Sequence, residues 1–128
     1  MQCLEGIMST QNHFLAVFLG TSASPRMAAW NALPDAERQQ KTQQGIALWG
    51  AWVEKHRASI VTMGGPLGKT SKISANGIED IGNAMTAFTV VQAESREAAA
   101  KLFQNHPHFA HFPGESIEVM PVLPIPGA

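Results

Sequence analysis

Residues 60–122, IVTMGGPLGKTSKISANGIEDIGNAMTAFTVVQAESREAAAKLFQNHPHFAHFPGESIEVMPV, carry three strand patterns and one helix pattern. The first strand, residues 60–63, is predicted to end at Gly64-Gly65-Pro66, because glycine admits positive φ and proline removes a ladder donor. Residues 85–92 are rich in β-branched and aromatic side chains, which favours a second strand. A helix is predicted from its cap Ser95 to about Asn105, and a last strand over residues 117–122. This order predicts half of an α+β sheet.

Upstream of this segment the sequence predicts one more strand and one long helix. The run His13–Leu19, HFLAVFL, is apolar at almost every position, so both faces of this strand need a cover. Pro34 suits the first turn of a helix that extends to about His56. Gly45 and Gly50 inside that helix indicate close packing or the approach of a ligand. The apolar stripe of the helix comprises Ile46, Trp49 and Val53, widened by Leu48 and Trp52.

The elements combine into one known arrangement. Asn76-Gly77 predicts a tight hairpin turn between polar arms at residues 69–74 and 78–80, and we call this hairpin the flap. Without the flap the order is β, α, β, β, α, β. The sequence therefore predicts a ferredoxin-like βαββαβ fold, an α+β four-stranded antiparallel sheet with two helices on one face. The other face is apolar and has no helix left to cover it, which predicts a homodimer through the open sheet face.

Length and composition limit the class of protein. Of 128 residues, 45% are hydrophobic and 15% charged, which fits one domain with a core of its own. We expect a poorly ordered extension at residues 1–12, a single domain at 13–123 and an extended tail at 124–128. The nine Lys and Arg form no basic stripe, so nucleic acid is not an expected partner. No apolar run reaches the ~20 residues of a membrane span and Cys3 is the single cysteine, so we expect a cytoplasmic protein without membrane contact.

Several short motifs, taken in their order, resemble the YCII-related family. They are Trp49-Gly50-Ala51-Trp52, the turn VTMGGPL at 61–67, the Ala-rich second helix and IEVMP at 117–121. The resemblance covers residues 14–122 and implies a dimeric α+β barrel, similar in architecture to muconolactone isomerase and to small monooxygenases of aromatic metabolism. A His and Asp acid/base pair is proposed for that family. The matching positions here hold Leu48 or Trp49 and His106, so the pair itself is not implied for this chain.

A histidine cluster supplies the candidate catalytic groups. His106, His108 and His111 account for three of the five histidines. Imidazole titrates near neutral pH, so His106 and His108 are the candidates for general acid/base catalysis. The alternative is that these histidines lie on the surface or fix the loop that contains them. Their spacing is not an established ligand pattern, so no metal is predicted.

The candidate ligand-binding residues are predicted to surround one cleft and are Trp49, Gly64, Gly65, Lys69 and His111. Gly68-Lys69-Thr70 resembles the end of a phosphate loop, but that motif requires a glycine in place of Met63 and a helix in place of the flap. Lys69 is instead predicted to contact an anionic ligand, with a solvated turn as the alternative. Trp49 is either a wall for a planar substrate or a core or dimer contact.

Two functions from different classes follow from these residues. The first is binding of a small organic molecule, anionic or aromatic, with cofactor-independent proton transfer of a lyase or isomerase type. The second is a non-catalytic dimeric module for ligand binding or interaction. The sequence has no flavin or haem fingerprint and no convincing setting for a nucleophile, so no cofactor is predicted. An enclosed cavity around His106 or His108 would favour the first function, and exposure of both would favour the second.

Overall fold

A four-stranded antiparallel sheet organises the computed structural model, which describes residues 12–127. The strands are β1 His13–Leu19, β2 Ile60–Pro66, β3 Thr70–Ser74, β4 Gly77–Ile81, β5 Met85–Gln92 and β6 Ser116–Pro121. The main sheet has the order β2-β5-β1-β6, and each neighbouring pair is antiparallel. With the flap, β3 and β4, set aside, this is the strand order of the ferredoxin-like fold, so the predicted fold class is confirmed.

Four α-helices accompany the sheet in the described part of the chain, and three of them begin at a residue whose side chain accepts a backbone N–H. They are α1 Pro25–Asn31, α2 Asp35–Lys55, α3 Arg96–Lys101 and α4 Pro107–Ala110. The hydroxyl of Ser95 accepts the backbone N–H of Ala98 at 3.0 Å, as the sequence predicts for the N-cap of α3. The sequence also predicts that this helix continues to about Asn105 and that a loop follows. That prediction is wrong, because α3 ends at Lys101 and a separate short helix, α4, begins at Pro107.

The double glycine of β2 does not end the strand. Instead β2 runs through Gly64 and Gly65 to Pro66, with a register shift between Thr62 and Gly65 against β5. Gly64 has a φ of 68° and lies so close to the backbone of Phe88 that an added Cβ would be 2.0 Å from its carbonyl oxygen. The pair therefore forms a β-bulge that keeps the strand paired while it bends.

The core lies between the sheet and the helices. Phe14, Ala16 and Phe18 of β1 alternate onto this face and are buried. Trp52 of α2 and Phe103 pack against them, and the indole N–H of Trp52 donates to the carbonyl of Leu102 at 2.8 Å. The core cluster is completed by Val91 and Ala99.

The stripe of α2 that faces the core differs from the predicted one. Ile46 and Leu48 are 64% and 47% exposed, so their predicted burial is wrong. Gly45 and Trp52 are the buried residues of α2, and Trp49 lies between them on the same face. A glycine occupies the inward position at the start of the stripe because the ring of Phe112 fills the space above it.

The opposite face of the sheet carries the remaining apolar positions. Leu15 and Val17 of β1 point to it and are half-buried, and their partners on β5 are Val90 and Phe88. This pattern is the one from which the sequence predicts a homodimer. The dimer itself stays a prediction.

The flap is a two-stranded sheet of its own, as its turn sequence predicts. Ile73 and Ile78 form a cross-strand pair and are 72% and 75% exposed. Of the predicted extension at residues 1–12, only Asn12 belongs to the described residues. The single domain at 13–123 and the tail at 124–128 stay predictions. No helix in the described part of the chain is long and apolar enough to cross a membrane.

Candidate functional site

The first part of the site is built by the start of α4. Asn105 has a φ of 57°, a left-handed conformation that asparagine tolerates better than most residues. This turn places His106 at the N-cap of α4, and Pro107 follows at the first helical position. Nδ1 of His106 accepts the backbone N–H of His108 at 3.0 Å. The imidazole is therefore held by its own helix in one orientation.

His106 is enclosed by aromatic rings. It is 0% exposed, and its ring centroid lies 4.5 Å from that of Trp49 and 4.7 Å from that of Trp52. Phe18 and Phe103 complete the enclosure. Burial lowers the pKa of His106 to about 3, with smaller contributions from His108 and His56. The imidazole is consequently neutral at physiological pH.

The hydrogen bond to Nδ1 also fixes the tautomer of His106. Since Nδ1 accepts a hydrogen bond, the single proton of the neutral ring resides on Nε2. Nε2 is buried and has no hydrogen-bond partner among the described residues. At this site His106 is thus a buried N–H donor.

His108 is fixed by hydrogen bonding and by a glycine. Its Nε2 lies 2.9 Å from the carbonyl oxygen of Leu19 and donates to it. An added Cβ on Gly114 would lie 2.3 Å from the ring, so only glycine leaves room for the imidazole. Burial lowers the pKa of His108, and this effect outweighs the carbonyls of Leu19 and Ser116, which raise it. These contacts tie α4 to the end of β1.

His111 lies away from the other two histidines. Its Nε2 donates to the carbonyl of Lys41 at 2.6 Å, which joins the end of α4 to α2. It lines a separate cleft of about 280 Å³ together with Arg26 and Trp30. The structure therefore does not bring His111 to the same cleft as Trp49.

The second part of the site is a cleft between α2 and the β2–β5 pair, which we call the Trp49 cleft. It has a volume of about 350 Å³. The bulge of β2 forms part of its lining, since Gly64 and Gly65 both border it. It is lined by Trp49, Met63, Gly64, Gly65, Pro66, Ala87, Phe88 and Thr89.

The Trp49 cleft is apolar. All of its lining residues within the described chain are uncharged, and the hydroxyl of Thr89 already donates to the carbonyl of Met63 at 2.9 Å. An apolar molecule therefore fits this surface better than a strongly charged one. Sequence reasoning finds Trp49, Gly64 and Gly65, which the structure brings together here. It misses Met63, Ala87, Phe88 and Thr89. Ala87 and Thr89 lie two residues apart on β5 and pair with Phe18 and Ala16, so the alternation of β5 is the signal that could have placed these two.

Lys69 does not contribute to this lining. It is exposed in the segment between β2 and β3. Its neighbour Lys72 on the flap forms an ion pair with Glu79 at 3.8 Å. A contact between Lys69 and an anionic ligand stays a prediction.

A second cleft lies on the outer side of Trp49, and we call it the outer groove. It has a volume of about 450 Å³ and is lined by Ile46, Trp49, Gly50, Val53, Glu54, Arg57 and Met63. Trp49 and Met63 belong to both clefts. The indole of Trp49 thus borders both clefts, and it stacks on the ring of Phe18 at a centroid distance of 5.3 Å.

The histidines do not converge on a common point. Nδ1 of His106 is occupied by a backbone N–H, and Nε2 of His108 is occupied by a carbonyl. Among the described residues, the structure places no group of three or more His, Cys, Asp or Glu side chains that could hold a metal ion.

This is an α+β protein of the ferredoxin-like fold class, as the order of its four strands and the helices packed on the sheet define it. The chain matches no protein-family model and no curated protein. Among solved structures it is similar to 5-chloro-2-hydroxyhydroquinone dehydrochlorinase (TftG) from Burkholderia phenoliruptrix AC1100, in a complex with 2,5-dihydroxybenzoquinone. The TM-score is 0.52 at 19% sequence identity, and the match covers 87% of this chain and 93% of that chain. This likeness shows a shared fold.

Proposed function

We propose that this protein is a YCII-like protein that binds a small planar organic molecule in the Trp49 cleft. The observation that carries the proposal is the cleft itself, in which an indole faces a glycine bulge and an uncharged strand surface. Its volume of about 350 Å³ lies within the usual range for ligand pockets and suits a molecule with one ring. Gly64 and Gly65 leave the backbone uncovered, so a flat ligand can approach it closely.

The comparison with a solved structure supports the size and shape of this ligand. TftG is similar in fold and is seen with 2,5-dihydroxybenzoquinone, a molecule with a single planar ring. The motifs that resemble the YCII-related family add support, because that resemblance implies a small-molecule cleft. A homodimer through the open sheet face and a cytoplasmic location belong to the same proposal.

Of the two functions predicted from the sequence, binding without proton transfer agrees better with the chemistry of the histidines. His106 is a weak base, since burial lowers its pKa to about 3, and His108 donates to a carbonyl. Neither belongs to the lining of the Trp49 cleft in the described chain. Proton transfer of a lyase or isomerase type by His106 or His108 stays a prediction. Its support is that the ring of His106 contacts the indole of Trp49, which lines the cleft.

A titration with acetophenone, an uncharged molecule with one planar ring, followed by protein NMR, tests the proposal, because the lining of the cleft carries no charge. Gly65→Val places a side chain at the cleft, and the Cβ meets no atom within 4 Å, so the fold should tolerate it. Gly68→Val is the matched control, because Gly68 is equally open but lies outside the cleft lining.

We expect saturable shifts of Trp49, Gly64 and Gly65 resonances in the wild type and in Gly68→Val. Gly65→Val should weaken binding at least about tenfold, because its methyl groups occupy the ligand's volume. Equal affinity in all three proteins, or shifts confined to residues far from Trp49, would contradict the proposal.

A further inference from the structure

The buried N–H of His106 is the polar group that the proposed binding site leaves unexplained. Buried side-chain polar atoms almost always have a hydrogen-bond partner, because a donor without one loses its bond to water. Nε2 of His106 is buried and has no partner among the described residues. Its tautomer is set by the N-cap bond on the opposite nitrogen. The fold thus holds the Nε2–H of His106 in a fixed orientation.

The position of this donor relates it to the ligand cleft. The rings of His106 and Trp49 have centroids 4.5 Å apart and an interplanar angle of 89°. Trp49 in turn lines the Trp49 cleft. His106 therefore contacts the indole that lines the cleft, while His106 itself is not part of the lining.

Trp49 borders a second open space besides the Trp49 cleft. The outer groove of about 450 Å³ is lined by Trp49 and by Ile46, Val53 and Met63. Ile46 and Met63 are 64% and 55% exposed, so an indole turned toward them would exchange its stack on Phe18 for contacts with two exposed apolar side chains. Such a rotation would connect the Trp49 cleft with the space in front of His106.

We propose that His106 is a ligand-binding residue whose Nε2–H donates a hydrogen bond to a carbonyl or hydroxyl oxygen of the ligand when the Trp49 indole turns toward the outer groove. This inference rests on the proposed function and narrows its ligand class to planar molecules that carry such an oxygen. The role is that of a neutral donor, because Nδ1 is occupied by the backbone N–H of His108. This hydrogen bond should contribute more to ligand affinity than one at an exposed donor, because the N–H is already removed from water before the ligand binds.

A purely structural role is the competing explanation. The nearly perpendicular rings allow the N–H of His106 to face an indole as a weak π acceptor. In that case His106 would stabilise the core without any contact to a ligand oxygen. The two explanations differ in how binding responds to that one oxygen.

Two probes of matched shape separate these explanations. Acetophenone carries a carbonyl oxygen where α-methylstyrene carries a methylene group. The variant is His106→Asn, because asparagine is a good N-cap and keeps the bond to the N–H of His108 while it removes Nε2. The dissociation constants of both probes are measured by NMR titration for wild type and variant.

We expect the preference for acetophenone over α-methylstyrene to fall about tenfold in His106→Asn, the effect of one buried hydrogen bond. If both affinities change by the same factor, His106 is structural and this inference is wrong, while the proposed function stands. If the wild type binds neither probe, the proposed function fails and the inference fails with it.

A measurement on the wild type covers the case in which His106→Asn does not fold. The imidazole N–H resonance of His106 is followed by proton–nitrogen NMR during both titrations. Acetophenone should shift the Nε2–H proton downfield, whereas α-methylstyrene should leave it near its free position. A proton found on Nδ1, or an Nε2–H that does not respond at saturation with acetophenone, would overturn the inference.

Discussion

Gly45 of α2 lies directly against the ring of Phe112, so that a Cβ added to Gly45 would be 2.2 Å from Cζ of that ring. The contact joins α2 to the segment that follows α4 and therefore positions the histidine-bearing helix. Gly50 lies five residues further along the same helix, and a Cβ added there would meet no atom within 4 Å. Close packing, one of the two predicted reasons for these glycines, is thus found at Gly45 and not at Gly50, and the approach of a ligand to Gly50 stays a prediction.

Replacement by alanine is expected to have opposite effects on stability at these two glycines. Gly50→Ala should raise the free energy of unfolding by about 1 kcal/mol, because alanine restricts the unfolded chain and costs the helix nothing. Gly45→Ala should lower it by about 1–3 kcal/mol, because Phe112 must move out of its place. Urea unfolding of both variants checks this. A stabilising Gly45→Ala would show that the Phe112 contact is not tight.

The bulge of β2 provides a second matched pair. Gly64→Ala should cost at least about 2 kcal/mol, because its φ of 68° and the backbone of Phe88 both exclude a side chain. Gly65→Ala should change stability by less than about 0.5 kcal/mol, since its Cβ would stand in open space. Thermal unfolding of the two variants is the measurement. Similar melting temperatures for both would contradict the assignment of the bulge to Gly64.

The order of strands and helices along the chain could be predicted from the sequence because it depends on local patterns. The apolar run of β1 and the cap at Ser95 are encoded by neighbouring residues and need no knowledge of distant ones. The behaviour of Gly64 was not within reach, since a double glycine followed by proline is equally compatible with a turn and with a bulge. The distance to Phe88, which decides between them, is a tertiary quantity.

The candidate site also combines features that neighbouring residues encode with features that depend on tertiary contacts. The sequence indicates that His106 and His108 are chemically competent, but the rings that enclose His106 come from β1, α2 and the turn after α3. Asn105 and Pro107 together indicate the start of a helix. The polar residues around them favoured the prediction of a loop instead. The same residues are compatible with a general base in a polar loop and with a neutral hydrogen-bond donor enclosed by aromatic rings. Only the packing of the fold distinguishes these two settings.

The buried histidines predict a pH dependence of stability. The pKa of His106 falls from its usual 6.5 to about 3 on folding, so the unfolded chain binds a proton that the native state excludes. Stability should therefore be complete above about pH 6.5 and decline toward about pH 3. The slope is about 1.4 kcal/mol per pH unit for one proton. Burial of His108 contributes with the same sign.

His106→Asn separates the contribution of His106 to this slope. The variant removes that proton but retains His108 and the N-cap. Urea unfolding at neutral pH and near pH 5 should show a smaller loss of stability on acidification than in the wild type. An unchanged slope would mean that the imidazole of His106 is accessible to protons in the native state.

The open face of the sheet predicts self-association. Leu15 and Val17 present apolar side chains there, opposite Val90 and Phe88. Light scattering after size-exclusion chromatography should give the mass of a dimer for the wild type. Leu15→Glu should give a monomer, because each copy would bring an unpaired carboxylate into an apolar interface.

Ile46→Glu is the control for this last prediction. Ile46 is also an exposed apolar residue, at 64%, but it lies on the helical side of the sheet, away from Leu15. The variant should therefore remain dimeric if the open sheet face forms the interface. A monomeric Ile46→Glu beside a dimeric Leu15→Glu would place the interface at the outer groove. There, a partner chain would cover Trp49, and the space that the indole of Trp49 needs to uncover His106 would be filled.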